Sequence, residues 1–165
     1  MMKRILLFIS LFVIFLLDAH LTDFIRTLFF TRLELRTYLF VIVFFYFCRR
    51  SHFFLALIAA LFFGMIYDYY YLDFLGITAL ALPIATLLLL LVDKFVKNKR
   101  SKWQDFLLFT VFLSFFVGIS FLLATNYHFT PISWSFFVTY HFLPALLLNL
   151  VIFIIFNKHC KQVFY

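Results

Sequence analysis

The sequence contains little charge, glycine, proline or cysteine. Only 13% of its 165 residues are charged, and it has three Gly, three Pro and two Cys. Soluble domains carry about 25% charged residues, which cover their water-exposed surface. The scarcity of charge therefore excludes a water-soluble enzyme. Because Gly and Pro are also scarce, we expect no disordered linker, and no glycine-rich phosphate loop can form.

Metal-binding and nucleophile motifs are also missing. The five His are scattered, no HExxH occurs, and Cys48 and Cys160 lie far apart in the chain. The basic residues lie between apolar runs instead of forming a solvated patch, so we expect no nucleic-acid partner. We predict that the protein is not an enzyme and has no metal, cofactor or catalytic residue.

Apolar runs fill most of the chain, since 67% of the residues are hydrophobic and 29 are Phe. A helix needs about 20 apolar residues to span a membrane. The runs predict an all-α integral membrane protein, one multi-pass domain over residues 1–165 built as a bundle of six transmembrane helices. The second run is short and begins among charged residues, so five helices is the alternative. The approximate helices are 5–21, 33–48, 53–70, 74–92, 106–124 and 136–156.

The Lys and Arg residues predict the orientation. With six helices, one side of the membrane receives eleven of the 14 Lys and Arg and the other side receives three. Basic loops stay in the cytoplasm, so both termini are predicted to be cytoplasmic. The basic segment Lys94–Lys102 lies on that side, and we expect it to contact anionic lipid head groups.

Four ionisable residues are predicted to share one level in the outer part of the membrane. Counted from the inner helix ends, they lie roughly 18–22 Å up a hydrocarbon core of about 30 Å. Such groups are costly unless they are paired. We expect Arg36 to lie between Asp18 and Asp68, with His141 nearby. The alternative is that Asp18 and Arg36 extend to the outer interface.

The third run also carries a stripe of small residues. Ala56, Ala60, Gly64 and Asp68 follow one another at intervals of four residues, which places them on one helix face. Small residues allow close helix packing in lipid. The stripe therefore predicts that Asp68 faces another helix. Asp73 is expected to be the N-cap of the fourth helix.

The stretch from Gly64 to Pro83 resembles the signature segment of the bacterial rod shape-determining protein MreD family. In that family a G-x-x-x-D ends one helix, an aromatic turn follows, and the next helix opens with Gly and reaches Pro. Gly64, Tyr67, Asp68, Gly76 and Pro83 match this pattern. The length, the basic N-terminus and Asp18 near the end of the first helix are also similar. No motif of the family is recognised in the fifth and sixth helices.

The resemblance implies a non-enzymatic component of the cell-elongation machinery in the bacterial plasma membrane. Such a protein would bind a bitopic protein of the MreC type. Through it, the chain would reach a RodA-type peptidoglycan glycosyltransferase and its penicillin-binding partner. The resemblance also implies a six-helix fold similar to the S components of energy-coupling-factor transporters.

Two function hypotheses follow, and a third is weaker. The first is a scaffold that binds its partner through the aromatic turn, because tyrosines are enriched in interfaces. The second is a small-solute subunit whose polar level would hold a vitamin-sized molecule. The first helix lacks the Ala-x-x-x-Ala by which S components meet their energising subunit, which favours the scaffold. The third, an intramembrane enzyme, would use Asp18 and Asp68 as an acid–base pair. The turn tyrosines are Tyr67, Tyr69, Tyr70 and Tyr71.

Overall fold

The computed structural model describes residues 11–18, 20–22, 24, 27, 36–96 and 102–164. These residues form helices joined by short turns, and no strand occurs among them. They fall into six helical runs in the predicted order, which confirms the all-helical class. The start of the first two predicted helices and residues 97–101 of the basic segment lie outside the described residues.

The helices are numbered in chain order, and two of them are extended by a π-helical turn. The first is α1 at residues 11–18. A π turn, Asp68–Leu72, follows α3, and a second one, Phe137–Phe142, joins α6 to α7. The other helices are α2 (Leu39–Arg50), α3 (Phe53–Tyr67), α4 (Thr78–Val96), α5 (Lys102–Asn126), α6 (Trp134–Phe136) and α7 (Leu143–Phe164).

Four helices within the described residues are long and apolar enough to cross a membrane. The second helix is much shorter than a span, because its 12 residues rise only about 18 Å. The four spans are Phe53–Leu72, Thr78–Phe95, Trp103–Asn126 and Trp134–Asn157.

Two helices begin later than the sequence predicted. Residues 36–38 are not helical, so α2 starts at Leu39 instead of residue 33. The side chain of Asp18 accepts hydrogen bonds from the first backbone N–H groups of α2 and thereby fixes its start. The fourth helix starts at Thr78 instead of residue 74, because Gly76 has a φ of 126°, which ends helical geometry.

The chain divides into two compact units. One unit consists of residues 48–132 and contains α3, α4 and α5, with α4 packed against both neighbours. Small residues make the α3 face of this unit, since Ala56, Ala60 and Gly64 are buried. Large aromatic side chains on α5 fill the rest of its core, including Phe109 and Phe112.

The other unit consists of residues 1–47 and 133–165 and contains α1, most of α2, and α6 with α7. Aromatic packing joins its helices. The Tyr46 ring on α2 stacks on the Phe153 ring of α7, with 5.9 Å between the ring centroids. The hydroxyl of Tyr46 donates to Asn157 Oδ1 at 2.7 Å, which satisfies this polar atom in the buried aromatic cluster. Phe15 of α1 packs edge-on against Phe40 of α2.

Candidate functional site: the aromatic hairpin and the polar residues beneath it

Asp68 ends α3 and holds the beginning of α4. Its Oδ1 accepts the backbone N–H of Thr78 at 2.7 Å. Its Oδ2 accepts the N–H groups of Gly76 at 2.8 Å and Ala79 at 2.9 Å. The first N–H groups of a helix have no partner within the helix and carry partial positive charge. The fully buried Asp68 carboxylate therefore acts as the N-terminal cap of the next helix.

The approach of α3 to α4 depends on Gly64. A Cβ at this position would lie 2.7 Å from the Thr78 carbonyl oxygen and 2.8 Å from the Ala79 Cα. Both neighbours are backbone atoms, which cannot move aside as a flexible side chain can. Gly64 thus allows α3 and α4 to approach each other closely. Asp68, which caps α4, lies four residues after Gly64 on the same stripe.

The turn above Asp68 presents tyrosines. Tyr69 is 74% exposed and Tyr70 is 66% exposed. The rings of Tyr67 and Tyr71 lie 4.8 Å apart, and those of Tyr70 and Tyr71 lie 5.2 Å apart. The residues 67–75, which we call the aromatic hairpin, thus display large amphipathic side chains on a turn that the buried Asp68 fixes from below.

A second loop braces the aromatic hairpin. The Phe74 ring lies 5.3 Å from the Tyr127 ring and 5.7 Å from the Phe129 ring. Tyr127 also lines the space beside Gly76, where a Cβ would meet its hydroxyl at 3.9 Å. The loop after α5 therefore contacts the turn between α3 and α4, and this contribution was not predicted from the sequence.

Asp18 has a role in its own unit that is similar to that of Asp68. Its carboxylate accepts the backbone N–H groups of Leu39 at 3.0 Å and Phe40 at 3.3 Å. Its backbone carbonyl accepts the Thr37 hydroxyl at 3.2 Å. A positive charge, Arg36, attracts the Asp18 carboxylate. The acid near the end of α1 thus caps α2.

The other two members of the predicted ionic level lie in the same unit as Asp18. The guanidinium carbon of Arg36 lies 5.8 Å from the centre of the Tyr38 ring. His141 lies in the second π turn, half-buried, with its ring 5.8 Å from that of Phe136 and 6.2 Å from that of Phe137. Asp68 belongs to the second unit, so a cluster of all four groups stays a prediction.

The remaining motif residues lie at the start of α4. Pro83 is half-buried inside the helix, and its ring removes one backbone donor there. The prediction that Asp73 caps α4 was wrong. Asp73 is exposed and in the left-handed region at φ 48°, and the helix begins five residues later. Asp68 takes the capping role because its carboxylate reaches the helix N-terminus from α3.

Two polar features were not predicted. Asn149 on α7 is fully buried; its Oδ1 accepts the Tyr38 N–H at 2.7 Å, and its amide donates to the Arg36 and Ala145 carbonyls. A buried asparagine needs several hydrogen-bond partners. An asparagine inside an apolar run was therefore the available signal in the sequence.

The second unpredicted feature is an ion triad at the end of α2. Arg49 donates from Nε to Asp93 Oδ1 at 3.0 Å and from Nη1 to Asp105 Oδ1 at 2.7 Å. Its side chain is only 3% exposed. The three residues lie at the ends of α2 and α4 and at the start of α5. The sequence did contain a signal for this triad. Asp93 and Asp105 are acids at the edges of apolar runs, on the membrane side where nearly all neighbouring charges are basic.

The described residues hold no group of three His, Cys, Asp or Glu side chains suited to a metal ion. Asp18 and Asp68 accept hydrogen bonds from backbone N–H groups, and Asp93 and Asp105 pair with Arg49. These acids therefore serve as helix caps, one in each unit, and as members of an ion triad.

Four long apolar helices, together with hydrogen-bond partners for the buried side-chain N and O atoms of the described residues, define a polytopic α-helical membrane protein. A family model described as rod shape-determining protein MreD matches residues 2–160. The chain is 30% identical over 154 residues to the cell shape-determining protein MreD of Streptococcus pneumoniae strain R6. That match covers 90% of this chain and 88% of the relative. No solved structure gives a significant match.

The chain therefore belongs to the MreD family, as the stretch from Gly64 to Pro83 predicted. It is a multi-pass protein of the bacterial plasma membrane with a role in cell shape. The family is described by shape determination and is not a known family of enzymes.

Proposed function

We propose that the chain is a non-enzymatic scaffold of the cell-elongation machinery that binds an MreC-type single-pass partner through the aromatic hairpin. One observation carries this proposal: Tyr69 and Tyr70 are largely exposed on a turn whose base is fixed by the buried Asp68. Through this partner the scaffold would reach a RodA-type glycosyltransferase and its penicillin-binding protein.

The fixed turn supports a binding role because it lowers the cost of association. Ordering a flexible loop on binding costs free energy, and a surface that is already ordered avoids this cost. Three hydrogen bonds to Asp68 and the packing of Phe74 on Tyr127 hold the hairpin before any partner arrives. Tyrosine contributes large contact area with few rotatable bonds, which is why it is common in binding hot spots.

The polar chemistry supports a scaffold over an enzyme. An intramembrane acid–base pair would need carboxylates that are available to a substrate. The oxygens of Asp18 and Asp68 instead accept backbone N–H groups at helix starts. The alternative function is a transport subunit that binds a vitamin-sized ligand. Because these acids are used as helix caps, fewer polar groups are available to bind such a ligand.

The basic segment Lys94–Lys102 extends the proposal to lipid. Lys94 is exposed, and its ammonium lies 5.7 Å from the centre of the Phe53 ring. Lysines beside the end of a transmembrane helix attract anionic head groups by about 1 kcal/mol each. We propose that this segment contacts anionic lipids at the cytoplasmic surface.

Co-purification in mild detergent tests the scaffold function. The chain is expressed together with the MreC-type protein from the same genome, and retention of that protein is measured for the wild type and for the double variant Tyr69→Ser/Tyr70→Ser. We expect the double variant to lose most of the partner. Phe95→Ser is the control, because Phe95 is an 88% exposed aromatic at the other end of α4 and should not alter retention.

Two results would contradict the proposal. One is equal retention of the partner by the double variant and the wild type. The other is co-isolation of an ATPase pair with a bound vitamin, which would establish the transport subunit instead.

A further inference from the structure

One acidic side chain among the described residues differs from the others in having no partner within this part of the protein. Five acidic residues lie in this part of the chain, and four of them have partners inside the protein. Asp73 is the exception, since its carboxylate forms no hydrogen bond or ion pair with any described residue. The four partnered acids are Asp18, Asp68, Asp93 and Asp105.

Asp73 is exposed and lies between two aromatic clusters. Its left-handed backbone, at φ 48°, turns the chain directly after the π turn. The first cluster precedes Asp73 and contains Tyr67, Tyr70 and Tyr71. The second follows it and contains Phe74, Tyr127 and Phe129, which are 38%, 45% and 48% exposed.

We propose that Asp73 and these two clusters form a binding surface for an Arg or Lys side chain in the extracytoplasmic juxtamembrane segment of the single-pass partner. This inference rests on the proposed scaffold function and specifies its partner chemistry. An exposed carboxylate without an internal partner can form a charge-assisted hydrogen bond with a guanidinium or ammonium group. The faces of neighbouring tyrosines also attract cations.

The size of the surface favours a peptide segment over a lipid head group. The exposed rings come from two separate loops, the aromatic hairpin and residues 127–129. A peptide beside a transmembrane helix combines apolar side chains, which pack on the rings, with a basic residue for Asp73. Binding hot spots are enriched in both Tyr and Arg.

Measurement of partner affinity tests the inference. The chain in detergent is titrated with the purified full-length MreC-type protein, and the dissociation constant is compared for the wild type, Asp73→Asn and Asp73→Lys. Asn is isosteric and tolerates left-handed backbone, so Asp73→Asn keeps the fold. We expect Asp73→Asn to weaken binding about ten-fold and Asp73→Lys to weaken it further. Ser135→Lys makes the net charge more positive by one, as Asp73→Asn does, at an exposed residue of the other unit, and it should bind normally.

A charge exchange gives the sharper result. Changing the basic residues of the partner's extracytoplasmic juxtamembrane segment to Glu, one at a time, should restore binding to Asp73→Lys for one of them. Binding of the wild type should also weaken as salt rises, whereas binding of Asp73→Asn should not.

The outcomes separate this inference from the proposed function. Wild-type affinity in both Asp73→Asn and Asp73→Lys, with weak binding by Tyr69→Ser/Tyr70→Ser, would overturn the ionic contact and leave the scaffold in place. Wild-type affinity in all three variants would overturn both. The unfolding temperature of each variant confirms that a loss of binding does not arise from misfolding.

Discussion

The Asp68 carboxylate and the backbone N–H of Ala79 are joined by a 2.9 Å hydrogen bond between the end of α3 and the start of α4. The Gly76 and Thr78 N–H groups bind the same carboxylate. A helix start inside a membrane has no water to satisfy its N–H groups, so a carboxylate from the preceding helix takes that place. Asp18 does the same for α2, which makes these acids elements of the fold in both units.

Asp68→Asn should therefore lower the stability of the protein. The amide keeps one acceptor oxygen but places an NH₂ group toward N–H groups that had bound the carboxylate. Each buried donor left without an acceptor costs about 1–3 kcal/mol. We expect a clear fall in the unfolding temperature in detergent, followed by circular dichroism. Asp73→Asn, in the exposed part of the same turn, should unfold like the wild type; equal stability of both variants would contradict the capping role.

Gly64→Ala and Gly118→Ala should have opposite effects. The added methyl group at Gly64 would meet the backbone of Thr78 and Ala79 at distances below 3 Å, so we expect a loss of about 1–3 kcal/mol. No atom lies within 4 Å of a Cβ at Gly118, and alanine is the better helix former by about 0.5–1 kcal/mol. Unfolding of both variants by a denaturing detergent gives the comparison. A Gly64→Ala variant as stable as Gly118→Ala would show that α3 and α4 are not in close contact.

Arg49→Met should destabilise the protein strongly. It removes the guanidinium that pairs with the buried Asp93 and Asp105, and removal of one member of a buried ionic group costs about 3–5 kcal/mol. The exposed neighbour Arg50 provides the control variant Arg50→Met. We expect Arg49→Met to unfold at much lower temperature than Arg50→Met in a thermal scan of the detergent-solubilised protein.

A triple variant separates buried charge from lost packing. Arg49→Met/Asp93→Asn/Asp105→Asn also removes the two carboxylate charges that pair with Arg49 in the wild type. It should be more stable than Arg49→Met, although two hydrogen bonds to Arg49 remain lost. If it is no more stable, the role of Arg49 is steric and not ionic.

The apolar runs were sufficient to predict the helices because burial in lipid requires long uninterrupted stretches of hydrophobic residues. They also indicated the buried face of α3, since Gly64 and Asp68 follow the small residues at the spacing of one helix face. The starts of α2 and α4 could not be predicted from these runs. Leu33 and Leu35 alternate with charged residues before Leu39, and Phe74, Leu75 and Ile77 precede Thr78, so hydropathy does not define where either helix starts. The carboxylate that caps each start comes from a different helix.

Partners across the chain were equally hidden. Arg49 lies 44 residues from Asp93 and 56 from Asp105, and only helix packing brings them together. Because Arg49 lies beside Arg50 at the end of an apolar run, both were interpreted as basic residues that set the membrane orientation. This interpretation gave no reason to expect that Arg49 pairs with two acids. The sequence identified Asp68 as a costly buried charge, but its partners are backbone groups whose direction depends on the turn at Gly76.

Asn149→Leu should loosen the start of α2 more than any other part of the protein. Leucine has a similar size but cannot accept the Tyr38 N–H or donate to the Arg36 carbonyl, so these partly buried backbone groups lose their Asn149 partner. The cost is about 1–3 kcal/mol for each unsatisfied group. Hydrogen exchange measured by mass spectrometry should show faster exchange in peptides that contain Tyr38, with little change in α4. Asn126→Leu, at an exposed residue, is the control. Unchanged exchange at Tyr38 in Asn149→Leu would mean that this hydrogen bond does not hold α2 in place.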